Sequence, residues 1–174
     1  MADPARRNIE LKARDPDPER TLLTCGEIGA RDHGLLDQRD TYFHAPRGRL
    51  KLREQVPGGA WLIAYDRADR PEERLSSYRL AAVSEPRGLR EALDASLGIE
   101  LTVHKRRRLL LWRSVRIHLD EVTGLGHFVE LEAVAEPGSD LSAEHLLVAQ
   151  LRTALGIADE LLCGRGYAQL LADS

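Results

Sequence analysis

The chain has 174 residues, of which 43% are hydrophobic and 30% are charged, with a net charge of −3 at pH 7. This length and composition are typical of one folded domain with its own core, and they exclude a disordered chain. The near-balanced charge excludes an overall basic field for nucleic acid, and no apolar run approaches the ~20 residues of a transmembrane helix.

The N-terminus and the cysteines indicate the cellular compartment. The first residues, MADPARRN, lack the apolar region of a signal peptide. Cys25 and Cys163 have no metal-ligand spacing, so we expect both to be reduced, buried thiols. The sequence therefore predicts a cytoplasmic protein.

The first predicted element is a strand over residues 6–14 (RRNIELKAR), in which the two faces differ sharply. Ile9 and Leu11 lie on one face, whereas Glu10 and Lys12 lie on the other. An ordinary half-buried sheet would place the apolar pair inside, and a barrel with a wet interior would place the charged pair inside.

A helix follows this strand. Asp17 is a suitable N-cap and Pro18 occupies the first helical position, so we predict a helix to about Gly29. Four short strands are then predicted, separated by turns such as PRG and PGG, over residues 38–45, 49–54, 60–67 and 75–83.

The second half of the chain begins with a leucine-striped helix between Pro86 and Gly98. Strands are predicted over 99–112, 114–122 and 127–135, then a helix over 142–156 and a short helical piece at 168–171. About eight strands in meander order, without alternating βαβ units, predict an α+β fold with an antiparallel sheet or barrel and helices packed on it.

The polar faces of these strands sort by charge. Lys51 and Arg53 share one face, as do Lys105 and Arg107, whereas the acidic positions are Asp120, Glu130 and Glu132. Alternation alone does not identify the buried face, so these could be solvent-exposed faces of a half-buried sheet. Acidic clusters are also ligands for Mg²⁺ or Mn²⁺, and basic clusters bind phosphate oxygens.

These segments carry a family resemblance. RRNIELKAR is similar to the ExExK strand of the CYTH family, the triphosphate tunnel metalloenzymes, and QRDTYF, LKLRE, VHKRRR, IHLDEV and FVELE follow in the family's order up to Tyr167. The resemblance implies one CYTH-like triphosphate tunnel domain over residues 1–174. Its expected fold is an eight-stranded antiparallel β-barrel with a polar tunnel interior and helices outside, so Glu10 and Lys12 would face inward.

Roles for individual residues are implied by the same resemblance. The expected metal ligands for Mg²⁺ or Mn²⁺ are Glu10, Asp120, Glu130 and Glu132. The expected phosphate-binding residues are Lys12, Lys51, Arg53, Arg67, Lys105 and Arg107, with Arg79 and Arg116 as less supported additions. Glu10, Lys12 and Asp120 are the expected catalytic residues. Asn8 replaces the first acid of ExExK, which leaves open whether one or two metal ions bind.

The function implied is metal-dependent hydrolysis of a triphosphate-containing small molecule: inorganic triphosphate, a nucleoside triphosphate or thiamine triphosphate. The alternatives are a class IV-like adenylate cyclase, which makes cyclic AMP and pyrophosphate, and a module that binds polyphosphate or nucleotide without turnover. We expect no membrane or nucleic-acid partner, and a homodimer is possible because family members are commonly dimers.

Aromatic residues are few, so the sequence offers little stacking surface for a base. Trp61, Trp112, Tyr65 and Phe128 are expected in the core or the tunnel wall. His118 shares a face with Asp120 and could be a general base, but a histidine hydrogen-bonded inside a polar barrel is the simpler interpretation.

Overall fold

The computed structural model describes residues 6–174, so the first five residues of MADPARRN lie outside the described part of the chain. The strands are β1 (Arg6–Arg14), β2 (Arg31–Phe43), β3 (Arg49–Val56), β4 (Gly59–Arg67), β5 (Arg74–Ala82), β6 (Ile99–Trp112), β7 (Val115–Val122) and β8 (Gly126–Val134). The helices are α1 (Pro18–Glu27), α2 (Pro86–Leu97), α3 (Ser142–Ala154) and α4 (Tyr167–Ala172), with a 3₁₀ turn at Asp159–Leu161.

The eight strands close into one antiparallel barrel in the order β1-β5-β4-β3-β2-β6-β7-β8. Closure pairs both edges of every strand, so the sheet leaves no free edge. The predicted α+β barrel is confirmed, and seven of the eight strands have ends within two residues of those predicted.

The second strand differs from its prediction, because it begins at Arg31 rather than at residue 38. Its pairing with β6 shifts register between Asp32 and Leu35, and Gly34 between them has φ of +93°. A bulge of this kind interrupts the two-residue alternation from which strands are recognised. No element was therefore predicted over residues 30–37, although residues 31–37 belong to the strand.

The apolar face of β1 points outward and forms the main core with the helices. Ile9 and Leu11 are fully buried there, against Cys25 of α1 and Val148 and Leu151 of α3. Burial raises the pKa of the Cys25 thiol to about 11, and both cysteines are free, with Cys163 only half-buried. The core thus lies between the barrel wall and the helices, not inside the barrel.

A second apolar cluster fills one end of the barrel. Tyr167 and Ala168 at the start of α4 pack there against Tyr42, Val103, Val122 and Phe128. The rings of Phe128 and Tyr167 meet edge to face, with centroids 5.0 Å apart. The short helix α4 therefore covers this end of the barrel, which we call the α4 end.

None of the helices within residues 6–174 has the length and apolar composition that a membrane span requires.

The outward-facing core makes a stability prediction. Leu11→Ala should lower the free energy of unfolding by about 2–5 kcal/mol, because it leaves a cavity beneath the helices. Leu23→Ala on α1 is the control, since Leu23 is 69% exposed and its loss should change stability by less than about 0.5 kcal/mol. Urea unfolding followed by circular dichroism measures both, and equal effects would contradict the assignment of the core.

Candidate active site

The barrel encloses a cavity of about 460 Å³, to which all eight strands contribute side chains. Eight cationic residues line it: Arg6, Lys12, Lys51, Arg53, Arg67, Lys105, Arg107 and Arg116. Three carboxylates line it as well: Glu10, Glu130 and Glu132. The charged faces therefore point inward, and the excess of positive charge makes the cavity a site for an anion.

Asp40 on β2 lies behind the wall of this cavity and binds three of its cations. Its carboxylate accepts two hydrogen bonds from Arg53, at 2.7 and 2.6 Å, and one from Lys51 at 2.9 Å. The Lys105 ammonium lies 3.6 Å away. Burial alone would raise the pKa of Asp40, but these cations hold it well below its usual range. Asp40 is therefore an anion that fixes the positions of three cations.

Asp120 on β7 has the same role two strands away, on the other side of β6. It receives two bonds of 2.6 Å from Arg107 and one of 2.9 Å from the Tyr167 hydroxyl. Burial would raise the pKa of Asp120, yet Arg107 and Lys105 keep it below its usual value. The side chain is 1% exposed and does not line the cavity. The structure thus places this expected metal ligand behind Arg107.

Glu10 lies in the cavity wall between two arginines. Its Oε1 accepts a bond of 2.9 Å from Arg74 and a second from Arg67. Arg74 is fully buried, and its Nη1 donates to the backbone carbonyls of Arg70 at 2.8 Å and Gly164 at 3.1 Å. Arg74 was not predicted from the sequence, although its alternation with Ser76 and Tyr78 on β5 places it on the inner face.

Lys12 faces the cavity directly opposite Glu130 in the β1–β8 ladder. Its ammonium lies 3.8 Å from the centre of the Tyr167 ring. Burial lowers the pKa of Lys12 to about 8. The charge of Glu130 acts to raise this pKa, and the charge of Arg67 lowers it further. Burial and Arg107 also lower the pKa of Lys105 well below its usual range. Burial thus disfavours the charged form of both lysines, and a phosphate bound beside them would favour it.

His118 lies between the two carboxylates of β8. Its Nδ1 is 4.0 Å from Glu130 and its Nε2 is 3.8 Å from Glu132. Burial and the nearby Arg107 lower the pKa of His118, although both glutamates oppose the shift. Burial and Arg107 thus favour the neutral imidazole, as for a histidine enclosed in a polar barrel.

The remaining predicted residues occupy different places. Arg116 lies at the edge of the cavity, 3.4 Å from Glu132, with its side chain 46% exposed. Arg79 does not line the cavity, because the inward positions of β5 are Ser76, Tyr78 and Leu80. Eleven of the twelve predicted site residues are thus gathered at one cavity, ten in its lining and Asp120 behind it, and Arg79 is not.

No group of three or more histidine, cysteine, aspartate or glutamate side chains within residues 6–174 is arranged as a ready-made metal site. The available donors nevertheless fit a hard divalent cation. Glu10 and Glu132 lie opposite each other across β1 and β8, and Glu130 faces the same cavity. Asn8 donates to Glu132, and its own buried Oδ1 has no partner among the described residues. Oxygen donors of this kind are those that Mg²⁺ and Mn²⁺ prefer.

The sequence matches the family model of the CYTH domain over residues 6–166. The chain belongs to the CYTH family. A comparison with curated proteins gives no match.

Solved structures share the CYTH fold over nearly the whole chain. The PH1012 protein of Pyrococcus horikoshii is 23% identical, covers 94% of this chain and 98% of its own, and has a TM-score of 0.84. A proposed adenylate cyclase from Vibrio parahaemolyticus is 19% identical, with 95% and 97% covered and a TM-score of 0.75. HpAC1 of Hippeastrum, a proposed adenylyl cyclase with a dominant triphosphatase activity, is 15% identical, with 95% of both chains covered and a TM-score of 0.62.

The buried cation cluster of the CYTH barrel makes a second stability prediction. Asp40→Asn should lower the free energy of unfolding by about 3–5 kcal/mol, because it removes the anion that contacts three cations in the wall. Inorganic triphosphate should then raise the melting temperature of the variant more than that of the wild type.

Asp37→Asn is the matched control, since Asp37 lies on the outer face of the same strand in an exposed pair with Arg106. Its effect should stay below about 0.5 kcal/mol. A wild-type melting temperature for Asp40→Asn would show that Asp40 does not hold the cations in place.

Proposed function

We propose that this CYTH protein is a divalent-metal-dependent hydrolase of a triphosphate-containing small molecule that binds inside the barrel. One observation carries the proposal: eight cations and three carboxylates line one cavity inside the barrel. A polyphosphate chain supplies the negative charge that this lining lacks. The carboxylates supply the oxygen ligands for the metal that a triphosphate commonly brings with it.

The phosphate-binding residues would be Lys12, Lys51, Arg53, Lys105 and Arg107, with Arg67 beside them. Arginine presents a planar fork of donors to phosphate oxygens, and lysine acts as a point charge. Asp40 and Asp120 hold Arg53 and Arg107 through paired hydrogen bonds before any ligand arrives. Because these donors are already oriented, little reorganisation is needed when charge develops on the phosphoryl group.

Glu10, Glu130 and Glu132 would hold the Mg²⁺ or Mn²⁺ ion, which neutralises phosphate oxygens and lowers the pKa of an attacking water. For Asp120 we propose a positioning role toward Arg107 rather than direct metal binding, since its oxygens are engaged by Arg107 and Tyr167. Arg79 has no role in the proposal.

Hydrolysis breaks the bond between the terminal phosphorus and its bridging oxygen, and water supplies the new oxygen of the released orthophosphate. The chain would supply positioning and charge neutralisation, which are the main contributions to phosphoryl transfer. If a ribose 3′-hydroxyl attacked the α-phosphorus instead, the same cavity would produce cyclic AMP and pyrophosphate.

A product assay by ³¹P NMR tests the proposal. The protein is incubated with inorganic triphosphate, ATP or thiamine triphosphate, each with Mg²⁺ and with Mn²⁺. We expect orthophosphate, its loss on addition of EDTA, and its loss in Lys12→Ala but not in Arg106→Ala, whose side chain is 60% exposed on the outer face. Pyrophosphate with cyclic AMP would establish a cyclase, and no product from any substrate would contradict an enzymatic role.

The lowered pKa of Lys12 predicts a pH dependence. As the pH rises through about 8, the free protein loses the ammonium charge, so kcat/KM should fall on the alkaline side. In the Lys12→Arg variant the side chain stays charged throughout this range. The alkaline fall in kcat/KM that is due to residue 12 should therefore disappear, and only a fall due to Lys105 should remain. Identical pH profiles for the two proteins would show that Lys12 is not the titrating group.

The acidic residues predict how the protein binds metal. Glu130→Gln removes a charge from the cavity and should weaken Mn²⁺ binding about tenfold or more, as measured by electron paramagnetic resonance of free Mn²⁺. Glu121→Gln, on the outer face of β7 with its side chain 57% exposed, is the control and should bind Mn²⁺ as the wild type does. Unchanged affinity in both variants would place the metal elsewhere.

A further inference from the structure

Away from the α4 end, the cavity divides into a charged side and an apolar side. The adjacent strands β7, β8 and β1 turn charged or polar residues inward there, among them Arg116, Glu132 and Asn8. The other five strands form one continuous arc from β5 to β6. Four of these strands contribute apolar side chains to the cavity. We call these side chains the apolar arc: Leu36, Trp61, Ile63, Leu80 and Leu109.

The apolar arc adjoins the phosphate-binding cations. On β6, Leu109 is the inward position that follows Lys105 and Arg107, away from the α4 end. On β2, Leu36 is the register partner of Arg107. A ligand whose phosphates contact these cations therefore places its next atoms against apolar side chains. A purely ionic ligand would leave that surface in contact with water, which is unfavourable.

A buried hydrogen-bond acceptor adjoins the arc on β2. Gln38 donates from Nε2 to Gln55 at 2.6 Å, and its own Oε1 is buried without a partner among the described residues. Gln55 and Trp61 both lie next to Gly58 and so lie close to each other. A Cβ built on Gly58 would be 2.6 Å from Nε2 of Gln55 and 3.3 Å from Cη2 of Trp61. An unpaired buried acceptor is costly, so a ligand that donates to it gains affinity.

We infer that the substrate is an organic triphosphate whose uncharged ring rests on the apolar arc, with Trp61 as the stacking surface. A donor on the edge of the ring hydrogen-bonds to Oε1 of Gln38, while the phosphates contact the cations. The inference rests on the proposed function and selects among its substrates, because inorganic triphosphate has neither a ring to stack on Trp61 nor a ring-edge donor for Gln38. The cavity volume of about 460 Å³ lies within the roughly 300–1,000 Å³ of sites for ligands with an organic group.

The test compares two ligands that are not hydrolysed, the β,γ-imido analogue of ATP and imidotriphosphate, by isothermal titration calorimetry with Mg²⁺. Trp61→Ala should weaken binding of imido-ATP about tenfold or more through loss of stacking, and that of imidotriphosphate less than about twofold. Leu62→Ala, at the neighbouring position on the outer face of β4, is the control and should leave both affinities unchanged.

Two further variants keep the test decisive. Gln38→Leu should weaken the binding of imido-ATP. It should not weaken the binding of the imido analogue of purine riboside triphosphate, because that ligand lacks the amino donor. If Trp61→Ala does not fold, Leu80→Ala takes its place. Leu80 is already 37% exposed, so its truncation should not prevent folding. Equal losses for both ligands, or none in any variant, would overturn the inference and leave the triphosphatase proposal intact. Failure of the wild type to bind either ligand would overturn the proposed function itself.

Discussion

A barrel that turns eight cations inward is stable only if negative charge lies close to them, because an unpaired buried charge is very costly. The chain meets this requirement with carboxylates placed behind the lining, of which Asp40 and Asp120 are the most deeply buried. Each is bonded to an arginine fork that also faces the cavity. The charges that stabilise the barrel are therefore the same charges that orient the phosphate-binding groups, so fold and site depend on one network.

The same constraint explains why the main hydrophobic core lies outside the barrel. Side chains alternate strictly along a strand, so charged residues on the inner face force Ile9, Leu11 and their neighbours outward. That apolar surface must be covered, and α1 and α3 cover it. The helices are thus required by the polar interior, since without them the outer face would be a large exposed apolar surface.

Much of this arrangement was predictable from the sequence, because alternation and strand order are local properties. The direction of the charged faces was not, since alternation is symmetric and only the family resemblance selected the inner face. The roles of Asp40 and Arg74 depend on cross-strand contacts that need the three-dimensional register. Arg79 could have been excluded from the lining, because it is out of phase with Ser76 and Tyr78 on β5.

The α4 end is joined to the charged site by more than packing. Tyr167 donates to Asp120 and lies 3.8 Å beneath the Lys12 ammonium, while Arg74 links Glu10 to the carbonyl of Gly164 in the segment before α4. A Cβ at Gly164 would lie 2.6 Å from the carbonyl carbon of Arg70, so this segment packs directly against the backbone of Arg70. Any ligand that draws Glu10 away from Arg74, or Lys12 toward a phosphate, therefore acts on the contacts that close the barrel.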